Sequence, residues 1–441
     1  MAQNNTYRTL LDEFIAFRSI STDPSCREEM TRTALWLKEQ FASRGFQVDA
    51  IEGYGNPIVV ARYDAGREET VLIYGHYDVQ PAEKADGWSG DPFAVRDDGE
   101  RLYARGIVDN KGQVLVHIAT VFDLIEKGAL GHNVVFMIEG DEETGSDLLP
   151  QFLAEHRERL AADWALISDG ETTAGRMTLE LGFRGGFNAT VTVTTSHTDL
   201  HSGLYGGATP SASWTLSHFL AGLHDDRNVV AIDHFYDDVD PIDEATRKKN
   251  QQLPFSEEEF KRLSGTRALK LPEGADFHSQ VGLQPTVEIT GVTSGYTGDG
   301  YKNAIPARAT AKINFRLVAR QDPRTIAEQF SEYARRVIPD YADVVVDVHG
   351  LHDSIKLPAD DPHLARAAAV IEKVIGEPPL YKFCGGGLPI VAEIARTLAI
   401  PQVLLPLANE DCAMHGVEEN FKKDDLRRAQ LVNTRLLASF Q

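Results

Sequence analysis

Metal-binding side chains follow an apolar run in the segment from Gly75 to Gly112. His76 and Asp78 come directly after ETVLIYG, a run of the length and composition of a buried strand, and Asp109 lies further along in IVDNKG. Ligands and metals in open α/β sheets collect at the carboxyl ends of the strands. We therefore expect these side chains to meet at one edge of a sheet.

The same arrangement recurs three more times along the chain. The run VVFMIEGDEETGS ends in Asp141, Glu142 and Glu143, and ADWALISDG ends in Asp169. Near the C-terminus, VLLPLANEDCAMHGVEENF supplies His415 after another apolar run. One acid or imidazole after a strand is common, but this combination indicates a shared site. We interpret Asp141 as an ordinary loop residue.

The residue types suit a pair of divalent metal ions. Two ions held about 3.5–4 Å apart need a bridging carboxylate, a few terminal ligands and a shared water. Two imidazoles and three carboxylates supply that set: His76, Asp109, Glu143, Asp169 and His415. Nitrogen and oxygen ligands without thiolate favour Zn²⁺, with Mn²⁺ or Co²⁺ as possible substitutes. We expect two such ions in each subunit.

Two further acids have expected roles beside the metal ligands. A general base must lie next to the attacking water, and Glu142 is free to take that proton and pass it to a leaving amine. Asp78 stands two residues after His76. Its carboxylate can hold the second nitrogen of that imidazole and fix the orientation of the ring.

The first part of the chain alternates between strand and helix patterns. NPIVVARYD, ETVLIYG, HNVVFMIEG and WALISDG read as strands, and NKGQVLVHIATVFDLIEKG reads as a helix between two of them. Apolar stripes at helical spacing also occur in residues 10–17 and 30–41. Strands separated by helices predict an α/β fold with a doubly wound sheet. Right-handed crossovers then bring several strand ends to one edge.

The pattern changes near Gly182. FNATVTVTT and RATAKINFRLV alternate with period two, DPRTIAEQFSEYARRVI reads as a helix, and YADVVVDVHG reads as another strand. These elements predict a compact α+β unit. A polar, acidic insertion from about Asp225 to Gln280 is expected to form short helices and loops on that unit.

The position of His415 indicates a discontinuous catalytic domain, because this ligand must fold back onto the first sheet. We predict a metal-binding catalytic domain with a doubly wound mixed sheet from residues 1–182 and 387–441. The intervening residues 183–386 are predicted to form an inserted α+β lid and dimerisation domain. The length of 441 residues agrees with two domains.

Composition excludes several classes of partner. A net charge of −22 and a pI of about 5.0 argue against nucleic acid and against an anionic membrane surface. Three cysteines without metal-binding spacing do not form a disulfide framework. We find neither a signal-peptide pattern nor an apolar run of membrane-spanning length, so a cytoplasmic location is expected.

The motifs together resemble a known family, the cocatalytic-zinc metallopeptidases that include carnosinases, non-specific cytosolic dipeptidases, aminoacylases and desuccinylases. The likeness is strongest to carnosinase-type dipeptidases. It spans essentially the whole chain, in the family's order: GHYDVQP, DGW, DPF, LYARGIVDNKG, EGDEETGS, ISDG, DLHSGLYGG, INFRLV, GGGLP and the segment around His415.

The resemblance implies a role for each proposed metal ligand. Asp109 bridges the two metals, His76 and Asp169 complete one site, and Glu143 and His415 complete the other. Relatives also have a cis peptide after the residue that corresponds to Asp109. The adjacent Glu142 is the general base in this comparison.

The resemblance also implies residues that bind a small peptide substrate. His201 reaches from the lid into the partner subunit's site and polarises the scissile carbonyl, which implies a homodimer. Arg316 clamps the terminal carboxylate of the substrate, a role for which the guanidinium fork is suited. As an alternative, His201 is only a loop residue and Arg316 only faces solvent from its strand.

The glycine-rich turn departs from the carnosinase-like pattern. Relatives present a serine before Ile-Pro, whereas this chain has Gly387 in that position, preceded by Cys384, Gly385 and Gly386. The backbone of Gly386 and Gly387 can still contact substrate, but the hydroxyl is absent. Cys384 is either a reactive thiol or a buried inert one, and we favour the inert interpretation.

We therefore expect a dinuclear metallohydrolase that cleaves the amide bond of dipeptides or short peptides. The alternative within the same chemistry is an N-acyl amino acid deacylase or desuccinylase, which differs in the pocket on the amine side. A third hypothesis, from another class, is a catalytically silent protein that binds metabolites by closing its lid. The presence of Glu142 with all five ligands favours an enzyme.

Overall fold

A computed structural model describes residues 5–272 and 274–438 of the chain. Its helices in that range are α1 (Asn5–Ile15), α2 (Arg27–Ala42), α3 (Lys111–Glu126), α4 (Leu149–Glu155), α5 (Ser202–Tyr205), α6 (Ala212–Ala221), α7 (Glu244–Asn250), α8 (Glu257–Ser264), α9 (Phe277–Leu283), α10 (Pro323–Val337), α11 (Pro362–Ile375), α12 (Pro389–Thr397) and α13 (Lys423–Leu437). Its strands are β1 (Gln47–Ile51), β2 (Ile58–Tyr63), β3 (Thr70–His76), β4 (Arg96–Asp97), β5 (Arg101–Tyr103), β6 (Asn133–Glu139), β7 (Trp164–Ile167), β8 (Thr178–Phe183), β9 (Gly185–Thr194), β10 (Leu200–His201), β11 (Thr286–Ser294), β12 (Ala304–Ile305), β13 (Arg308–Leu317), β14 (Asp343–His352), β15 (Ile355–Lys356), β16 (Leu380–Cys384), β17 (Gln402–Leu404) and β18 (Asn420–Lys422).

The largest sheet is mixed and positions most of the candidate ligands. Its strand order is β1-β2-β6-β3-β7-β17-β8-β15, and β16 also pairs with β8. The central strands β6, β3, β7 and β17 are parallel, whereas β2 and β8 run antiparallel to their neighbours in that group. The carboxyl ends of the parallel strands therefore lie along one edge. This confirms the predicted mixed α/β sheet.

Alternate residues of the central strands pack into apolar clusters on the two faces of this sheet. Val71 and Ile73 of β3 join the cluster formed with α1, α2, α3, α11 and α13. Leu72 and Tyr74 of the same strand join the cluster formed with α4 and α12. β3 is buried at every position, which is why its sequence reads as a continuous apolar run.

A second sheet of four antiparallel strands, in the order β11-β13-β9-β14, has its own apolar cluster with α6 and α10. The sequence predicted β9, β13, α10 and β14 but missed β11. A register shift between Ile289 and Gly291 interrupts the alternation of β11, and most of its side chains are partly or fully exposed. These features weakened the period-two pattern in the sequence.

Three elements between the second sheet and the C-terminal part of the chain adjoin the large sheet. β15 and β16 pair with β8, and Leu364 and Ile371 of α11 belong to the cluster that α3 and α13 share. Residues 355–384 thus pack with the large sheet, although the predicted domain boundary lies at residues 386/387. The division into two domains stays a prediction.

The acidic insertion forms the short helices α7, α8 and α9, as expected from its sequence. Both α7 and α9 contact β16. None of the helices in the described ranges is long and apolar enough to cross a membrane. The cytoplasmic location stays a prediction.

Candidate active site

His76 is the last residue of β3 and has no exposed surface. Its Nε2 lies 3.1 Å from Asp109 Oδ1 and 3.5 Å from Asp169 Oδ2. Asp169 follows β7, which pairs in parallel with β3, so both side chains reach the same sheet edge. These three residues form one compact group of potential metal ligands.

A second group contains the other oxygen of the same aspartate. Asp109 Oδ2 lies 2.7 Å from His415 Nε2, and that nitrogen is 3.4 Å from Glu143 Oε2. Asp109, Glu143 and His415 are thus close enough to hold an ion together. Asp109 belongs to both groups and turns one carboxylate oxygen toward each imidazole.

Local structure explains how these side chains are presented. Asp109 comes two residues before α3, and its peptide bond to Asn110 is cis. Glu143 lies in a single 3-10 turn, Glu142–Thr144, just after β6. His415 occupies a loop between β17 and β18 with a φ of 59°, a left-handed conformation that is uncommon for a residue of this size.

Asp78 connects the two groups without belonging to either. Its Oδ1 lies 3.1 Å from His76 Nδ1, so His76 turns its other nitrogen toward Asp109 and Asp169. Its Oδ2 accepts hydrogen bonds from the Ser21 hydroxyl and from the backbone N–H of Glu143, at 2.7 Å and 3.0 Å. One carboxylate therefore orients a ring in one group and the backbone of a ligand in the other.

Negative charge is crowded in this site. Burial raises the pKa of Glu143 to about 7, and the charge of Asp109 contributes to that rise. The pKa of Asp169 is also raised, chiefly by burial. Burial lowers the pKa of His76, but hydrogen bonds with Asp109, Asp169 and Asp78 outweigh it and raise that pKa well above 6.5. The cluster therefore favours bound positive charge.

The residues fit a pair of divalent cations. Among the described residues, none provides a hydrogen-bond partner for the buried Oε1 of Glu143. The donor atoms are imidazole nitrogens and carboxylate oxygens, the set that zinc and related ions take. The unpartnered oxygen of Glu143, the excess negative charge and the convergence of the side chains all match a dinuclear metal site.

Glu142 lies beside the first group and outside both sets of ligands. Its Oε2 is 4.0 Å from His76 Nε2, and the side chain is 20% exposed. Burial raises the pKa of Glu142 well above its ordinary value, and the charges of Asp169 and Asp109 add to that effect. The carboxyl group is thus placed to hold a proton next to the potential metal ligands.

Arg316 and the glycine-rich turn belong to a neighbouring basic region. Arg184 donates from Nε to the carbonyl oxygen of Gly385 and from its backbone N–H to that of Gly386. Burial, together with the positive charge of Arg316, lowers the pKa of Arg184 to about 10. A Cβ atom added at Gly387 would lie 2.9 Å from His352 Nε2.

The structure does not bring His201 to the ligand groups within one chain. His201 is exposed, and its Nδ1 accepts a hydrogen bond from the backbone N–H of Gly203. Its strand, β10, pairs only with the two-residue β12 among the described residues. Any contact between His201 and a metal site must therefore involve a rearrangement or a second subunit.

Cys384 is half-buried at the end of β16. Burial raises the pKa of its thiol to about 12, and the negative charge of Glu180 adds to the rise. The thiol is therefore protonated at neutral pH and a poor nucleophile. This agrees with the inert interpretation of Cys384.

Several residues near the site were not assigned a role from the sequence. Gln80 donates from Nε2 to Glu143 Oε2 at 2.6 Å, and the buried pair Arg105 and Glu419 joins the loops of two ligands. Arg184 and His352 flank the glycine-rich turn. Gln80, Arg105 and Glu419 lie in the motifs DVQP, LYARG and HGVEENF. Their position in these motifs was the only sign in the sequence that placed them near the site.

Known proteins resemble the whole of this arrangement. The Cys-Gly metallodipeptidase DUG1 of Candida albicans is 28% identical over 436 residues, which cover 93% of this chain and 89% of that protein. The Beta-Ala-His dipeptidase of Homo sapiens is also 28% identical, over 98% of this chain and 88% of its own. The solved structure of the M20 family metallo-carboxypeptidase Sso-CP2 from Sulfolobus solfataricus has a TM-score of 0.88 and 28% identity, and 99% of each chain is covered.

The family model described as "Peptidase family M20/M25/M40" matches residues 72–439. That range begins within β3 and contains every candidate ligand and all the strands that follow β3. The resemblance noted in the sequence is thereby confirmed, and the chain belongs to peptidase family M20/M25/M40.

Proposed function

We propose that this protein hydrolyses the amide bond of dipeptides or short peptides. The observation that supports this most directly is the carboxylate of Asp109, which turns one oxygen to His76 and the other to His415. Such an arrangement suits two metals with a shared carboxylate. The names of the similar proteins, a Cys-Gly metallodipeptidase and a Beta-Ala-His dipeptidase, support the choice of a dipeptide substrate.

Two divalent ions per subunit, zinc with manganese or cobalt as substitutes, form part of this proposal. His76 and Asp169 would hold one ion and Glu143 and His415 the other, with Asp109 between them. When bound, such ions polarise the scissile carbonyl and make water a stronger nucleophile at neutral pH. With an ion bound, Asp78 would hold the neutral ring of His76 in the tautomer that leaves Nε2 free for this purpose.

Glu142 is the general base in our proposal. Its carboxylate takes a proton from the attacking water and later delivers it to the nitrogen of the leaving amine. The raised pKa of Glu142 suits this exchange, because burial makes its carboxylate a stronger base than an exposed glutamate. Neither ligand group needs Glu142, so it can change its protonation state without releasing a metal ligand.

The basic region would bind the carboxylate end of the substrate. Arg316 lies close enough to Arg184 to lower its pKa, and the turn at Gly386 and Gly387 is next to both Arg184 and His352. We propose that Arg316 forms the ion pair with the substrate carboxylate and that the turn contacts it through backbone atoms.

We also propose a homodimer in which His201 enters the partner subunit's site and polarises the scissile carbonyl. Large apolar side chains are exposed in the same part of the chain as His201, including Leu204 of α5, Trp214 of α6 and Val292 of β11. Such side chains are typical of protein contacts. In this scheme the four-stranded sheet is a lid and dimerisation domain whose closure excludes water from the reaction.

The test is hydrolysis of a mixed panel by the zinc- or manganese-loaded protein, followed by mass spectrometry. The panel contains free dipeptides, tripeptides, N-acetylated dipeptides and N-acyl amino acids. We expect the free dipeptides to be cleaved fastest. Preferential loss of N-acyl amino acids would contradict a dipeptidase and support the deacylase alternative, and no loss in the metal-loaded protein would contradict both.

A carboxypeptidase is a second candidate, because the similar structure from Sulfolobus solfataricus has that name. The N-acetylated dipeptides separate the two activities. A carboxypeptidase recognises the free carboxylate and accepts a blocked amino terminus, whereas a dipeptidase that binds the free amine does not. Rapid release of the C-terminal residue from the blocked peptides would favour the second candidate.

A further inference from the structure

A fully buried glutamate, Glu419, holds the loop that leads to Asp109. Its Oε2 accepts hydrogen bonds from Arg105 Nη1 at 2.7 Å and from the backbone N–H of Gly106 at 2.9 Å. Its Oε1 accepts from the backbone N–H groups of Val108 and Asp109, at 2.9 Å and 3.1 Å. Both oxygens of this carboxylate thus accept hydrogen bonds from the segment that presents Asp109, the shared metal ligand.

The same pair holds the loop of His415. Arg105 donates from Nη2 to the carbonyl oxygens of His415 and Gly416, at 3.2 Å and 3.0 Å. His415 has a left-handed φ of 59°, and Glu418 nearby has one of 61°. Non-glycine residues keep such conformations only where their surroundings enforce them, and Arg105 supplies part of that restraint.

Burial makes this restraint strong and specific. The side chain of Arg105 is 3% exposed and that of Glu419 is 0% exposed, so neither is screened by solvent. Breaking a buried ion pair leaves an uncompensated charge and is strongly destabilising. Neither side chain belongs to the two groups of metal ligands. Their effect on those groups is therefore indirect.

We propose that Arg105 and Glu419 are positioning residues that fix the loop of Asp109 against the loop of His415, and so set the geometry of the metal pair. The inference rests on the dinuclear site of the proposed function. His76 lies at the end of a buried strand, whereas His415 lies in a loop. Asp109 therefore contacts His415 only if the loop of Asp109 and the loop of His415 keep their relative position. The pair therefore controls metal affinity and not the recognition of the peptide.

Two partly exposed neighbours of this pair provide matched controls. Glu418 is adjacent to Glu419 in sequence, accepts a hydrogen bond from the backbone N–H of Ser89 and forms an ion pair with Arg96. This ion pair also connects the C-terminal loop to the segment before Asp109. The side chains of Glu418 and Arg96 are 29% and 36% exposed, and neither residue belongs to the two groups of potential metal ligands.

The experiment compares Glu419→Gln and Arg105→Lys with Glu418→Gln and Arg96→Lys. Zinc stoichiometry and dissociation constants are measured in chelator-buffered solution, and thermal unfolding is followed with and without zinc. We expect both buried variants to bind zinc about 10- to 100-fold more weakly, the range found for residues that orient metal ligands. The lysine cannot reproduce the planar fork of Arg105. The control variants should stay near wild-type affinity.

Several outcomes would overturn the inference. A merely structural pair would lower the unfolding temperature equally with and without zinc and leave the dissociation constants unchanged in the folded variants. If circular dichroism shows that Glu419→Gln does not fold, the zinc affinity of Arg105→Lys decides whether the inference holds. If the wild type binds two zinc ions and the variants bind them with equal affinity, only this inference is overturned. If the wild type binds no zinc, the proposed function is overturned as well.

Discussion

Asp109 lies between two imidazoles that come from opposite ends of the chain, and it contacts each with a different oxygen. The residue types and their positions were enough to predict which side chains would converge, because His76, Glu143 and Asp169 each lie at or just after the end of a strand whose apolar sequence is easy to read. Because β3, β6 and β7 are parallel, their carboxyl ends lie at the same edge of the sheet and bring these side chains together.

The roles of Arg105 and Glu419 could not be predicted in the same way. These residues are more than 300 positions apart in the chain, and their importance depends on which backbone N–H groups point at the buried carboxylate. A sequence pattern indicates where a side chain lies along its own element. It does not indicate which distant loop that side chain contacts.

Replacement of Glu142 by alanine tests the proton transfer. We expect kcat for a cleaved dipeptide to fall by about 100- to 10,000-fold, the usual contribution of a general base. Zinc stoichiometry, measured by mass spectrometry of the metal, should be unchanged, because Glu142 is outside both ligand groups. Asp147→Asn, an exposed acid two residues beyond the 3-10 turn and its glycine, is the control. Retained activity in Glu142→Ala would exclude the assigned role.

Glu139, the last residue of β6, should make the metal-free protein less stable as the pH rises. Burial raises its pKa from 4.5 to about 7, while Tyr74 and Ser146 donate hydrogen bonds to it. Between these values the folded state holds a proton that the unfolded state releases, so the free energy of unfolding decreases with increasing pH. The expected slope from this group is on the order of 1 kcal/mol per pH unit.

Urea unfolding between pH 5 and 7 in the presence of a chelator measures this effect, with the slope for wild type compared with that for Glu139→Gln. The glutamine cannot ionise, so its slope should be smaller. Glu158→Gln, which changes an exposed glutamate, serves as the control. Equal slopes in wild type and Glu139→Gln would show that Glu139 does not titrate in this range.

At the scale of single elements, α3 and the loop before it fit together with no spare space. Gly112 lies in the first turn of α3, and a Cβ atom added there would be 1.8 Å from the carbonyl oxygen of Ile107. The backbone N–H of Gly112 also donates to the carbonyl oxygen of Gly106. The helix start therefore determines the path of the chain just before Asp109.

Gly112→Ala should move this loop and weaken both folding and metal binding. We expect a loss of about 1–3 kcal/mol in the free energy of unfolding, typical of overpacking, and a lower affinity for zinc. Gly90→Ala is the matched control, since an added Cβ atom there meets no atom within 4 Å. Chemical unfolding and zinc titration measure both effects. Wild-type values for Gly112→Ala would show that the loop adjusts without cost.

Elements with strong periodicity were predicted well. The expected strands β2, β3, β6, β7, β9, β13 and β14 and the helices α3 and α10 are all present. Among the missed strands of the large sheet, β15 has two residues, and β8 and β16 lie next to glycine-rich turns that obscure their pattern. Their pairing with the large sheet depends on contacts between segments about 200 residues apart.

At the scale of the whole molecule, the exposed position of His201 gives a sharp test of the proposed homodimer. Subunits with Glu142→Ala lack the base, and subunits with His201→Ala lack the residue supplied to the partner. If His201 acts in the partner's site, mixed dimers contain one complete site. Random mixing should then restore about a quarter of wild-type activity, because half of the dimers are mixed and half of their sites are intact.

The two variants must first be unfolded and refolded together so that subunits exchange, and the dimer must be verified by light scattering. Each variant refolded alone is the control and should stay inactive. A mixture with no more activity than the separate variants would place His201 in the site of its own subunit, or outside any site.

The position of β17 constrains the order in which the protein can be completed during translation. This strand lies between β7 and β8 in the large sheet, yet it is synthesised roughly 235 residues after β7. At about 5–20 residues per second, the ribosome needs roughly 10 to 50 s for that stretch. Until β17 is made, the edges of β7 and β8 that it covers lack this partner and can pair with other chains. Chaperone binding, or transient pairing with other strands of the same chain, would protect those edges until β17 has been synthesised.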